Sequence, residues 1–378
     1  MHSPYRIAFI VEQALGHVTH GQNLKAHLER DPDLAPQWGF PAYEVSGLAA
    51  KLPLYASNWT VRAGLRTRRL LAGMARQGKL EALFFHTQVT AVLAGDWLHR
   101  LPAVISLDAT PQQYDELGDF YQHARGPAWL EQLKWRLNRD AFQRARRLVT
   151  WSEWAKTGLV QGYGIPAEKV HVIPPGVDTR AWQPPSKSRN GSTPGDHPVR
   201  ILFVGGDLER KGGLDLIAAF RELRLSNPNL ELLLVTRQQV PAQPGLRVYN
   251  EMQPNSAALR NLYFTSDIFC LPSRGDCLPV ALAEAGAANL PLVSTQVAAI
   301  PELVRSGETG FAIPPGDKDA LGQALNRLVE NKDLRRSLGL AAAERARRHF
   351  DAARNAERLA SLLKEVVEDE RRRKSTDE

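Results

Sequence analysis

Between Asp267 and Val293 the chain passes from an apolar run into a polar loop, then a helix, then a second apolar run. Asp267-Ile268-Phe269-Cys270-Leu271 reads as a buried strand. Pro272 to Cys277 is a loop, and Pro279 stands where a helix would start, a place that suits proline because its missing N–H would be unpaired there anyway. Val280 to Ala288 has helical composition and carries Glu284; Asn289 ends it, and Leu290-Pro291-Leu292-Val293 opens the next strand. This order, strand–loop–helix–strand, commits the region to a layered α/β fold. It also sets two carboxylates eight positions apart, Asp276 ahead of the helix and Glu284 inside it. A helix start binds anions through its free N–H groups and its dipole. One acid can therefore meet a group ahead of the helix and the other a group further along the same ligand. A nucleotide-sugar, with sugar, diphosphate and ribose in a row, has that layout.

The same alternation runs through the rest of the chain. In the first half the expected strands are Tyr5 to Val11, Glu81 to His86, Ala103 to Leu107, Leu148 to Ser152 and Lys169 to Ile173, with helices from Gly21 to Arg30 and from Val61 to Leu80. Gln183 to His197 is rich in Pro, Ser and Gly without apolar periodicity, and reads as a linker. Strands resume at Arg200 to Val204, Glu231 to Thr236 and Leu246 to Tyr249. The length of 378 residues suits two domains. The expectation is two doubly wound, Rossmann-like α/β domains facing across a cleft: residues 1–182, a linker at 183–198, residues 199–350, and a closing stretch at 351–378.

Composition excludes several classes. At 43% hydrophobic and 24% charged, the chain is that of a soluble globular protein, and no apolar run approaches the ~20 residues of a membrane span. Cys270 and Cys277 are the two cysteines, one in a buried strand and one in the loop, which points to a reducing compartment and not to a disulfide framework. The N-terminal MHSPYRIAFIVEQ enters a strand directly, with no signal-peptide pattern, so a cytoplasmic location is expected. The net charge of +7 favours anionic partners without choosing among them. No nucleic-acid motif accompanies it.

Several polar residues fall at carboxyl ends of expected strands, where ligands gather in open α/β sheets. They are Gly16, His17 and His20 in the first loop, His86 after the second strand and Asp108 after the third. The histidines read as acid/base groups, phosphate contacts or supports of a turn. Asp108 reads as an acid/base or charge-stabilising group, or as a cap before Thr110-Pro111. In the second half Gly205 to Gly213 brings glycines for close backbone approach and the cations Arg210 and Lys211 to neutralise a diphosphate. On the helix from Val61 to Leu80, Arg62, Arg66, Arg69 and Arg76 share one arc. That arc reads either as a solvated face or as one that rests on anionic lipid at the inner face of a membrane. Asp31-Pro32-Asp33 and Asp317-Lys318-Asp319 superficially match D-x-D metal motifs but sit at helix or loop ends, and read as caps.

The stretch LPSRGDCLPVALAEAGAANLPLV resembles the E-x7-E region of retaining glycosyltransferases of family four, which have the GT-B fold. Asp276 stands at the first acidic position, where the family mostly has glutamate, and Glu284 at the second. IPPGVD at Ile173 to Asp178 is similar to the family's interdomain motif. The resemblance implies that Asp276, with Cys277 and Leu278, binds the donor sugar and that Glu284 binds ribose. It implies that Leu278, Pro279 and Val280, with Gly16, Arg210 and Lys211, hold the diphosphate. Lys211 matches the second cation of the family's basic pair; Gly206 occupies the usual first position, and Arg210 substitutes for it. Val248 and Tyr249 fall where the family holds the base. A histidine commonly ends the strand that here ends at Asp108, so Asp108, with His86 and Asp276, is the catalytic candidate, and His17 and His20 lie on the acceptor side. The last helix of such folds crosses back to the first domain. The implied activity is retaining, front-face transfer of a hexosyl-type group from a nucleoside diphosphate sugar to a lipid, polysaccharide or small molecule, with no cofactor and no catalytic metal. The alternatives are a GT-B epimerase or phosphorylase, or a silent member that binds lipid or nucleic acid.

Overall fold

The computed structural model describes residues 3–13, 17–45, 47, 51–118, 126–185 and 198–377. Gly16 and most of the expected linker lie outside the described residues. Contacts gather the chain into two compact units. The first runs to Glu116, resumes up to Gly176 and takes back the chain from Ala352; the second holds Val177–Asp351.

The first unit is built on six strands: β1 (Ile7–Val11), β2 (Gln37–Gly39), β3 (Ala82–His86), β4 (Ala103–Leu107), β5 (Arg147–Thr150) and β6 (Val170–Val172). Their order is β2-β1-β3-β4-β5-β6, and every pairing is parallel. Continuous apolar runs form these strands because both faces are covered. The two-residue period splits each strand between two cores. Ile10, Phe85, Ile105 and Leu107 pack with Leu71, Met74 and Phe142 on one face. Ile7, Phe9, Phe84 and Val104 pack on the other with Leu24 and Leu28 of the helix His17–Leu28. Leu359, Leu363 and Val366 of the helix Ala352–Asp377 complete that second core. The last helix is thus part of the first unit's interior.

The second unit has β7 (Arg200–Val204), β8 (Glu231–Val235), β9 (Leu246–Tyr249), β10 (Ile268–Leu271), β11 (Leu292–Thr295) and β12 (Gly310–Ile313). All are parallel, in the order β12-β11-β10-β7-β8-β9. Both sheets reverse direction at one point, between β1 and β3 in the first and between β7 and β10 in the second. Crevices outside the carboxyl ends of strands at such reversals are where α/β sheets bind ligands.

Some expectations shift. The chain leaves the first unit after Gly176 and not after Trp182, because Trp182 is fully buried edge-on against Tyr263, 4.9 Å away in the second unit. The first helix begins at His17 and not at Gly21, since His17 and His20, three apart on one helical face, both bury their rings. Pro279 is the residue before the helix Val280–Ala287 and not its first. The helix Ala257–Phe264 is capped by Ser256, which accepts from Leu259 N–H at 3.1 Å. Asp317 caps the helix Lys318–Glu330, whereas Asp31 and Asp33 both hold Lys364.

The basic arc is not one surface. Its helix, Trp59–Gln77, is capped by Asn58. Arg62 is buried and donates to the carbonyls of Tyr43, Tyr55 and Ala56. Arg66 is tied to the Tyr55 hydroxyl and to the carbonyls of Ala42 and Glu44. Only Arg69 and Arg76 of the four stand exposed. A guanidinium offers five donors, and here carbonyls of residues 42–44 and of the short helix Pro53–Ser57 take them.

Candidate active site

Each sheet reversal carries a polar cluster. In the first unit, Glu12 follows β1, His86 ends β3, Asp108 follows β4 and Trp151 follows β5. His17 reaches between two of them, with Nδ1 2.5 Å from Glu12 Oε1 and Nε2 3.3 Å from Asp108 Oδ2. Tyr114 donates its hydroxyl to the same Asp108 oxygen at 2.6 Å, and Trp59 Nε1 donates to Glu12 at 3.3 Å. His86 stacks on Trp151, with ring centroids 5.1 Å apart and planes within 9°. His20 lies against both rings, 4.7 Å from His86 and 4.8 Å from Trp151.

The electrostatics divide the three histidines. Burial disfavours an imidazolium at His17, but the Asp108 and Glu12 carboxylates outweigh it and push its pKa up to about 10. His17 therefore carries its proton at neutral pH and cannot accept another. Burial, aided by the neighbouring His17 charge, drives His20 down to about 3 and His86 well below its ordinary value. Burial opposes ionisation of Asp108, yet the His17 charge and the hydrogen bonds from His17 and Tyr114 prevail and hold it below its usual range. The result is a fixed imidazolium, an anionic Asp108 and two neutral imidazoles. Asp108 Oδ1, His20 Nδ1, His86 Nε2 and Trp151 Nε1 have no hydrogen-bond partner among the described residues. Buried polar atoms are normally paired, so these mark a place for a ligand or water.

In the second unit the loop after β7 and the loop after β10 interlock. Arg210 Nη1 donates to Gly275 O at 2.8 Å, and Arg210 O accepts from Arg274 N–H at 2.8 Å. Gly212 has φ +73°, and a Cβ there would meet Pro272 O at 1.9 Å, so only glycine permits this approach. Arg274 grips Asp215 with two nitrogens, at 2.9 and 2.8 Å. Within this frame Lys211 donates to Asp276 Oδ2, Arg210 Nη1 lies 3.5 Å from Asp276 Oδ1, and Ser273 Oγ donates to Asp276 at 2.9 Å. Glu284 is buried one turn into the helix Val280–Ala287 and accepts from Tyr263 OH at 2.9 Å. Burial pushes its pKa up to about 7, against the opposing effect of the Tyr263 bond.

The structure thus brings Arg210, Lys211 and Asp276 together, and separately His17, His20, His86 and Asp108. Cys277 and Leu278 are buried between Asp276 and the helix start at Pro279 and Val280. Val248 and Tyr249 stand apart from these, on edge strand β9, two strands from β7. Glu12, Tyr114 and Trp151 were not singled out by sequence. Glu12 and Trp151 bear the signal that found His86 and Asp108, a polar or aromatic residue just past a strand's carboxyl end.

Two family models match the chain: Glycosyltransferase Family 4 over residues 20–181 and Glycosyl transferases group 1 over residues 198–331. The chain belongs to the GT-B glycosyltransferases of the family-four superfamily. Among curated relatives of this glycosyltransferase, an alpha-maltose-1-phosphate synthase of Mycolicibacterium smegmatis is 26% identical over 317 residues, covering 74% of this chain and 78% of that one. Among solved structures, the sucrose-phosphate synthase of Thermosynechococcus elongatus superposes with a TM-score of 0.75 at 15% identity, covering 96% and 99%. Anabaena HepE in complex with UDP-glucose superposes with a TM-score of 0.68 at 16% identity, covering 95% and 99%. These structural likenesses establish the GT-B fold of the glycosyltransferase. Among its described residues, no three His, Cys, Asp or Glu side chains are grouped to hold a metal ion, and no helix is long and apolar enough to cross a membrane.

Proposed function

We propose that this glycosyltransferase moves a hexosyl-type group from a nucleoside diphosphate sugar to an acceptor hydroxyl, with retention at the anomeric carbon and without a metal. The observation that carries the proposal is the meeting of Arg210, Lys211 and Asp276 at the reversal of the second sheet. Two cations beside a helix start suit a leaving diphosphate, whose charge grows as the glycosidic bond breaks. A carboxylate next to them suits the hydroxyls of the attached sugar. HepE, which has the same fold, was solved with UDP-glucose, and the mycobacterial relative is named for a maltose product. Both agree with a hexosyl donor.

The remaining roles follow from charge. Glu284 keeps lone pairs beyond the one given to Tyr263, and a ribose diol would donate to them. Val248 and Tyr249 offer edge-strand contacts for the base. In the first unit Asp108 stays anionic with Oδ1 unpartnered, which suits it to stabilise a cationic sugar or to accept from an acceptor hydroxyl. His86, neutral like His20 and unlike the protonated His17, keeps a ring nitrogen that could take up a proton. The leaving diphosphate itself is the other base at hand for front-face substitution.

The test is a thermal-shift screen against nucleoside diphosphate sugars, followed by transfer assays with the donor found, in buffer with EDTA. Stabilisation by one donor, activity in EDTA and a product of the donor's own anomeric configuration are the expected results. An inverted product would remove the retaining mechanism, and a screen with no hit would remove the donor class.

A further inference from the structure

The cations proposed to hold the diphosphate are already engaged. Asp276 takes Lys211 on one oxygen and faces Arg210 with the other. Arg210 Nε also lies 3.5 Å from Asp207, and Arg274 is paired with Asp215. Three cations meet three carboxylates in these contacts, so the cradle has no surplus positive charge. A diphosphate entering it would gain little attraction until a carboxylate withdraws. The three acids differ in how readily they could do so. Asp207 is 48% exposed and its pull is screened by water. Asp215 is held by Arg274, which the donor does not need. Asp276 is the buried acid that shares both cations of interest.

We propose that Asp276 is a displaceable counter-anion that makes this site favour intact donor over spent nucleoside diphosphate. The inference rests on the nucleotide-sugar reading of the same site. In the free protein the carboxylate neutralises Arg210 and Lys211. When intact donor arrives, the phosphates take over the two cations and the sugar hydroxyls donate to the freed carboxylate in exchange. A bare nucleoside diphosphate brings no such donors. It would leave Asp276 beside the phosphates with Ser273 Oγ as its remaining bond in these contacts. After transfer, the same repulsion helps expel the product, a step that limits turnover in many enzymes.

Calorimetry on the full chain tests this, with uridine, guanosine, adenosine and thymidine diphosphates as probes, each bare and as its glucose ester. Asp276→Asn keeps the shape of the side chain and removes the charge. It should bind a bare diphosphate ~10-fold tighter than wild type, the scale of one charge-assisted bond that no longer has to be broken. It should bind the glucose ester no tighter, so the preference for intact donor shrinks or inverts. Asp276→Ser is the second variant should the amide fold poorly, judged by its thermal midpoint, and the same tightening is expected. Unchanged or weaker binding of bare diphosphate by both variants overturns the inference. Lys211→Ala separates the two levels. If it loses binding that wild type has, while the Asp276 variants show no tightening, the donor site stands and the counter-anion role falls. If neither wild type nor any variant binds any probe, both fall.

Discussion

His17 Nε2 lies 3.3 Å from Asp108 Oδ2, and both side chains are buried at the reversal of the first sheet. With Glu12 at the other nitrogen, the ring is an imidazolium clamped by two carboxylates. The clamp makes His17 a fixed charge and takes up one oxygen of Asp108, leaving the buried Oδ1 without a partner among the described residues.

The protonation pattern can be read directly. His17 should keep both ring protons at pH 8, His20 should stay neutral at pH 5, and His86 should titrate well below an ordinary histidine, in nitrogen-15 spectra of histidine-labelled protein. The stability effects have opposite signs. His17, whose folded pKa of about 10 exceeds the ~6.5 of an unfolded histidine, stabilises fully below pH ~6.5 and loses that contribution as pH rises toward 10. His20, depressed to about 3, lowers stability as pH falls below ~6.5. Thermal melts of His17→Gln should lack the alkaline part of this decline.

Asp108→Asn should cost activity and stability together. It strips His17 of one partner and leaves a less compensated buried cation, for which a loss of about 3 kcal/mol in urea unfolding is expected. Transfer should fall ~100-fold or more even after correction for the folded fraction. A variant with full transfer rate would show that the carboxylate has no part in the reaction.

Glu284 predicts how donor affinity varies with pH. In the proposed role a ribose diol would donate to the ionised carboxylate, so affinity should rise as pH passes about 7, the folded pKa of Glu284. Glu284→Gln should flatten that rise. Tyr263→Phe removes the bond that lowers the pKa and should move the rise to higher pH. The same shift affects folding, because an acid raised above its unfolded ~4.3 loses stability as pH climbs from there to 7. A donor titration at several pH values, beside melts of the same samples, separates the two effects.

Gly212→Ala should push apart the loops that follow β7 and β10. The new methyl would meet Pro272 O, and φ +73° is itself unfavourable for alanine. A loss of more than ~1 kcal/mol is expected in urea unfolding, with a raised donor KM because Lys211 and Asp276 sit on opposite sides of that contact. Gly73→Ala, inside the helix Trp59–Gln77 with nothing within 4 Å, should leave KM unchanged and raise stability by up to ~1 kcal/mol, and serves as the control.

The apolar runs of β1, β3, β4, β7, β8 and β10 were legible because strands buried on both faces need unbroken hydrophobic sequence. The loop holding Asp276 and the basic pair beside it were legible for a different reason, since their chemistry is concentrated in short segments. The grouping of Glu12 with His17 and Asp108 was not. It joins residues 91 positions apart, and no local pattern encodes a partner so distant. Arg62 misled for the converse reason. Helical periodicity puts it on an arc that reads as solvated or as resting on lipid, yet carbonyls from residues 43, 55 and 56 turn it inward, and no local pattern in the sequence links them to it. The first helix starts at His17, ahead of the expected Gly21, with the imidazoles of His17 and His20 buried in its first turn, and helix propensity carries no sign of that.

The helix Ala352–Asp377 closes a core laid down by β1, β3 and β4. A ribosome delivers those strands early and this helix late, after the whole second unit has emerged. Until then Ile7, Phe9 and Phe84 have that greasy side covered in part, by Leu24 and Leu28 of the helix His17–Leu28. The amino-terminal half is therefore the last to be finished although the first to be made, and a nascent chain stalled anywhere in the second unit would present that half-covered sheet to chaperones.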